Sequence, residues 1–162
     1  KELIIMDYIP YLLRAAEIAQ EARDAGNTPF GALLIDPEGK IIEEQGNIEI
    51  TEKICTGHAE CTLAAKASHK YSKDFLWNCT LVTSVEPCSM CTGAIYWANI
   101  GTIVYGIEET ELLKMTGDNE QNPTFNLPCR KILECGQKPI KVYGPFPEVA
   151  EACAKAHIGY WD

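Results

Sequence analysis

The sequence predicts an α/β fold in three layers, α/β/α, with a five-stranded mixed sheet between helices. Three observations predict it. Helical and strand patterns alternate along most of the chain, which puts the strands in one sheet and the helices over its two faces. Strands joined through a helix run parallel, because such crossovers are right-handed and return to the same edge. The first two strands are joined by a turn instead, so those two are antiparallel and the rest parallel.

The first helix is expected from about Asp7 to Ala25. Asp7 can cap it, Pro10 falls in its first turn, and Ile9, Leu12, Leu13, Ala16, Ala19 and Ala22 recur at helical spacing before Gly26-Asn27 ends it. Phe30 to Ile35 reads as a strand, Asp36-Pro37-Glu38-Gly39 as a turn, and Lys40 to Glu44 as the hairpin partner. A polar loop leads to an alanine-rich helix from about His58 to Tyr71. Cys79 to Val85 is strand-like and is broken by Pro87, which suits the first turn of a helix from about Cys88 to Asn99. Ile100 to Ile107 is the fourth strand, Glu108 to Met115 a short helix with acidic start, and Gly117 to Asn126 an irregular loop. Leu127 to Cys135 is expected helical, Pro139 to Tyr143 a fifth strand and Pro147 to His157 a closing helix.

With 162 residues, 46% of them hydrophobic, the chain has room for one core and is expected to form a single domain over residues 1–162. No apolar run approaches the roughly 18 to 20 residues of a bilayer span, and no basic segment precedes an apolar one as in a secretory signal. Neither membrane insertion nor export is expected. Fourteen basic against 23 acidic residues leave a net charge of −9. Binding a nucleic-acid polymer depends on neutralising phosphates, so a polymer is a poor partner and a small neutral ligand a better one. The eight cysteines lie in a chain with ample apolar core, and several, such as Cys79 and Cys153, sit in apolar contexts. They read as reduced thiols of a cytoplasmic protein rather than a disulfide framework.

Two helix starts hold the chemistry. One reads Thr56-Gly57-His58-Ala59-Glu60, the other Glu86-Pro87-Cys88-Ser89-Met90-Cys91. Cys88 and Cys91, three apart at a helix start, can bind one metal together, and His58 would complete three ligands of a tetrahedral zinc with the fourth position open to water. A helix N-terminus stabilises thiolate, which favours both cysteines as ligands. Glu60, two residues beyond His58, falls on another side of the helix and is placed to exchange protons with a zinc-activated water. Each motif alone is weak: an isolated CxxC is commonly structural or redox-active, and an isolated helix-start histidine is commonly a packed residue. Their combination across one strand points to a catalytic zinc, one per chain.

His-Ala-Glu followed by Pro-Cys-x-x-Cys resembles the signature of the zinc-dependent cytidine-deaminase-like superfamily, whose chemistry is hydrolytic deamination. The resemblance runs through Pro29-Phe30-Gly31-Ala32, through Glu86 to Ala98 and into Val104-Tyr105-Gly106, and within the superfamily it is most similar to bacterial guanine deaminases. It implies His58, Cys88 and Cys91 as zinc ligands and Glu60 as proton shuttle. It further implies that Asn47 hydrogen-bonds the base, that Phe30 and Trp97 wall it, and that the Ala59 amide contacts it. Guanine deaminases carry a second acidic residue after the fourth strand, and the alignment puts Asp118 and Asn119 there, in a loop that departs from the family. Tyr160 and Trp161, near the end of the chain, are expected to close over the pocket.

The expected activity is therefore release of ammonia from a free nucleobase, guanine-type purine first, with cytosine, a nucleoside or another amino-heterocycle as the alternative. A tRNA adenosine deaminase shares the zinc residues but must grip a polyanion, which −9 opposes. A non-catalytic zinc module would need no Glu60 and would prefer a fourth protein ligand, for which Cys55 or Cys61 is near enough in sequence. The apolar and aromatic run Ile95-Tyr96-Trp97 exceeds one buried helical stripe and suggests a homodimer.

Overall fold

The computed structural model describes residues 6–162. In chain order the elements are α1 (Ile9–Asp24), β1 (Gly31–Ile35), β2 (Ile41–Gly46), α2 (Ala59–Lys70), α3 (Lys73–Trp77), β3 (Thr80–Val85), α4 (Ser89–Ala98), β4 (Thr102–Ile107), α5 (Glu109–Thr116), α6 (Cys129–Glu134), β5 (Lys141–Tyr143) and α7 (Ala150–Lys155), which a 3-10 turn over Pro147–Val149 introduces. The five strands stand in the order β2-β1-β3-β4-β5. β1 is antiparallel to both β2 and β3, while β3–β4 and β4–β5 are parallel. β2, β3, β4 and β5 therefore all point one way, and β1 alone runs against them.

Two elements differ from expectation. α3 was not anticipated: it is one short turn without periodicity, started by Ser72, whose Oγ accepts the Phe75 amide at 3.2 Å. The closing helix is shorter than expected because Pro147 starts a tight 3-10 turn before regular α geometry sets in.

Residues of alternating parity on the strands feed two cores. One face carries Ala32, Leu34, Leu81 and Ile103 under Leu63, Ala64 and Ala67 of α2 and Ile95 and Ala98 of α4. The other carries Leu33, Ile35, Val82 and Val104 under Leu12, Ala15 and Ile18 of α1 and Cys153 of α7. α1 lies close upon β1 because residue 31 is glycine: a Cβ there would sit 2.5 Å from the Ala15 carbonyl oxygen and the Ala19 nitrogen. The outer strand β2 is acidic, with Glu44 bonded to Arg14 at 2.6 Å and Glu43 to Lys70 at 3.0 Å.

The C-terminal segment folds back against the start of β1. Arg23 donates to the carbonyls of Ala156 and Ile158 at 3.0 and 2.7 Å. Trp161 donates its indole N–H to His157 Nδ1 at 3.1 Å, and both rings pack on Phe30, at 6.2 and 5.2 Å between centroids. Burial, aided by the Arg23 charge, pushes His157 down to about 4 from an ordinary 6.5. The neutral ring thus contributes stability that is fully present above about 6.5 and is lost as pH falls toward about 4. At 1.36 kcal/mol per pKa unit the loss approaches roughly 3 kcal/mol. The variant His157→Phe is expected to flatten the acid limb of unfolding free energy over that window, as denaturant titrations at stepped pH would show.

Candidate active site

Because β2, β3 and β4 are parallel, their carboxyl ends lie along one edge of the sheet, where ligands bind in open α/β sheets. His58 is the N-cap of α2 and Cys88 the N-cap of α4, so two helix starts meet there. Phe30 joins them from the start of β1, since that strand runs the other way. Small residues between α2 and α4, chiefly Ala64, Ala67 and Ala98, let the helices approach.

His58 Nδ1 lies 3.6 Å from Cys88 Sγ and 3.5 Å from Cys91 Sγ. A tetrahedral zinc with bonds of about 2.3 Å to sulfur and about 2.0 Å to nitrogen separates those atoms by roughly 3.5 Å. The side chains fit that ion. Neither Cys55 nor Cys61 belongs to this cluster among the described residues. Cys88 is held down to about 4 by the Cys91 thiol that donates to it and by His58, whereas Cys91, buried against a thiolate, is raised. His58 is pushed up to about 9, first by its bond with Cys88. Its other nitrogen, Nε2, faces Glu49 Oε2 at 3.9 Å, and Glu49 is itself fixed by Thr28 Oγ1 at 2.7 Å and Asn47 Nδ2 at 3.2 Å. That chain orients the ring with Nδ1 toward the sulfurs.

Glu60, in the first turn of α2, is buried, and Thr83 of β3 donates to its Oε1 at 2.6 Å. Burial raises its pKa, against that hydrogen bond. Glu60 stays outside the metal cluster yet lines the same cavity, a space of about 260 Å³. The cavity wall also contains Phe30, Glu49, His58, Cys88, Met90, Glu86, Glu109 and Leu112, and residues 121–125 complete it.

The other expected site residues fall in different places. Asn47 is buried beside the cavity, with Oδ1 accepting the Glu49 amide at 2.9 Å, and Ala59 is fully buried as the first residue of α2. Trp97 does not wall the cavity: it is 75% exposed on the outer side of α4, against Tyr96 and under Lys138. The helical period explains this, since the adjacent Ile95 and Ala98 take the inward face. Asp118 is exposed and absent from the cavity wall, because the loop turns it outward while Asn119 donates to the Trp161 carbonyl at 2.9 Å. Tyr160 is half-buried under Arg23 and also lies outside the wall. The acid that does enter the cavity after β4 is Glu109, at the start of α5. Sequence reasoning passed over it as helix-start charge, although its position just beyond a parallel strand was a usable signal.

Behind the site, Glu86 is buried between elements. Its Oε1 accepts the Glu109 amide at 3.0 Å and its Oε2 the Cys129 amide at 2.9 Å, so one carboxyl pins the starts of α5 and α6.

Against this geometry, a family model for the cytidine and deoxycytidylate deaminase zinc-binding region matches residues 7–107. The probable cytosine deaminase of Schizosaccharomyces pombe is 37% identical over 154 residues, 95% of this chain and 92% of that protein. The guanine deaminase of Bacillus subtilis is 41% identical over 107 residues, 65% of this chain and 68% of the other. Guanine deaminase from Nitrosomonas europaea shares the fold, with a TM-score of 0.73 over 99% of this chain and 87% of that one, at 21% identity. The chain belongs to the zinc-dependent cytidine-deaminase-like family and is an enzyme of that type, with one zinc ion per chain.

Replacing Glu86 by alanine would leave two buried amides without acceptors. At about 1–3 kcal/mol for each orphaned donor, Glu86→Ala should lower unfolding free energy by about 2–6 kcal/mol, measured by urea titration.

Proposed function

We propose that the protein hydrolyses the exocyclic amine of a free nucleobase, releasing ammonia, and that residues 1–162 act as one deaminase domain. The observation that carries this reading is the presence of His58, Cys88, Cys91 and Glu60 around one small cavity. His58 Nδ1 and the two sulfurs would hold zinc, which when bound supplies Lewis acidity that makes hydroxide available near neutral pH. Glu60 would accept one proton of the attacking water and pass it to the ring nitrogen, then accept the proton of the newly added hydroxyl and pass it to the amine, which leaves as ammonia. Burial raises its pKa, which favours holding a proton between the two transfers. Phe30 offers a face for stacking, and Asn47, outside the cavity wall, holds Glu49, which lines it.

Guanine is the first substrate to test. Cytosine is the second reading, favoured by the similarity to the probable cytosine deaminase, which extends over nearly the whole chain. A cavity of about 260 Å³ suits a single ring system. The charge of −9 argues against tRNA. No helix among the described residues is long and apolar enough to cross a membrane, and we place the reaction in the cytoplasm.

Purified zinc-loaded protein, offered guanine, cytosine, adenine and their nucleosides, should release ammonia from a free base. Glu60→Gln should lower turnover by at least about 10²- to 10⁴-fold with zinc content unchanged. Ammonia from none of these compounds, or zinc lost from Glu60→Gln, overturns the reading. We also propose a homodimer that covers the exposed Trp97 face of α4. Light scattering at micromolar concentration should give twice the chain mass, and Trp97→Asp should halve it.

A further inference from the structure

Thr83 is difficult to explain by packing alone. It is 0% exposed, and its neighbours on that face of the sheet are apolar: Ala32 pairs with it across β1, and Leu81 precedes it by two residues on β3. Valine has the same branched shape and a similar preference for strands, with no hydroxyl to satisfy. A buried hydroxyl costs free energy unless it is bonded. Thr83 Oγ1 has two acceptors within reach, Glu60 Oε1 at 2.6 Å and the Val85 carbonyl at 2.9 Å. A hydroxyl carries a single proton, so it serves one of them at a time.

Glu60 depends on that hydroxyl for its orientation. The last torsion of a glutamate is broad, so the side chain alone does not decide where its carboxyl points. Among the described residues no other side chain bonds the Glu60 carboxyl, and Thr83 is itself outside the cavity wall. We infer that Thr83 is a positioning residue for deamination: its hydroxyl pins Oε1 of Glu60 against β3 and leaves Oε2 as the oxygen that works in the cavity. This inference rests on the deaminase reading of the cavity. A shuttle that serves the ring nitrogen and then the amine has to shift between two atoms of the substrate. The Val85 carbonyl permits that shift, because Thr83 turns its proton there when Oε1 moves away, and no buried donor is orphaned. Holding the carboxyl in place lowers the cost of reaching the reactive geometry, so losing Thr83 falls on turnover rather than on binding.

The experiment compares zinc-loaded full-length wild type, Thr83→Ser, Thr83→Val, Glu60→Gln and the double variant Glu60→Gln with Thr83→Val. Ammonia release gives kcat and KM on the preferred base, zinc content is recorded, and crystal structures show the Glu60 carboxyl. Thr83→Val should lower kcat about 10- to 100-fold, with KM within about twofold of wild type and zinc content unchanged. Thr83→Ser, which keeps the hydroxyl, should recover most of kcat. In the Glu60→Gln background Thr83→Val should change kcat by less than about twofold, because the residue it acts through is already disabled. Equal kcat in Thr83→Val and wild type would overturn the inference. So would a fall that Thr83→Ser shares or that persists in the Glu60→Gln background, the marks of packing alone. If Thr83→Val failed to fold or lost zinc, Thr83→Ala would replace it under the same criteria. If wild type released ammonia from no base, the deaminase reading would fail and the crystal structures would judge Thr83. A Glu60 carboxyl with one orientation in wild type and Thr83→Ser but several in Thr83→Val would sustain the pinning, and one orientation throughout would refute it.

Discussion

Everything at the site follows from one electrostatic constraint: α2 and α4 begin at the same place. Two helix N-termini bring two sets of unsatisfied amides and two positive dipole ends together, which is unfavourable unless negative charge lies between them. The Cys88 thiolate and the carboxyl of Glu60 are at that point, and a His58 drawn toward its charged form balances them. Without a metal the cluster concentrates its negative charge on Cys88, whose pKa is held down, while the pKa of Cys91 is raised. A divalent ion with two thiolate ligands removes that asymmetry. The packing is built to hold the arrangement, with alanines between the two helices and Thr83 on the strand beneath Glu60.

The site divides into a floor and a roof that differ in construction. The floor consists of strand ends and helix starts, tied by Glu86 to α5 and α6. The roof is irregular backbone at 121–125, joined to the C-terminal segment by the bond from Asn119 to the Trp161 carbonyl. Phe30 belongs to both, since it faces the cavity while His157 and Trp161 pack against it. Proton transfer is thus assigned to rigid elements, and the shape of the space above them to segments whose hold is a few side-chain contacts.

What the sequence made legible was the part with strong local grammar. Alternating periodicities predict the sheet, and a proline before Cys-x-x-Cys predicts a helix start on which the cysteines share one side. His58 was legible because His-Ala-Glu lies at a second helix start. Glu109 was not, because a glutamate at a helix beginning has an ordinary explanation and only the sheet's direction reveals that it enters a cavity. Glu49 was hidden for a related reason: its value lies in the pairing with His58 across a loop, which no periodicity encodes. Trp97 shows the reverse failure. A large aromatic beside core positions invites assignment to a pocket, but a turn of only 100° separates neighbours on a helix, and Ile95 and Ala98 already occupy the inward side. Asp118 failed because loop residues have no register from which to infer direction.

The two margins of the sheet have an effect beyond catalysis. An open sheet ends in rows of unpaired amides and carbonyls that invite another chain to add a strand. Here one margin is β2, with Glu43 and Glu44 paired to Lys70 and Arg14. The other is β5, only three residues long and introduced by a lysine. A foreign strand approaching β2 would meet acidic side chains, and one approaching β5 would find too few bonds to compensate for the entropy of docking. Uncontrolled stacking of sheets into fibrils is thereby discouraged at both ends, and association between copies is left to the helical faces.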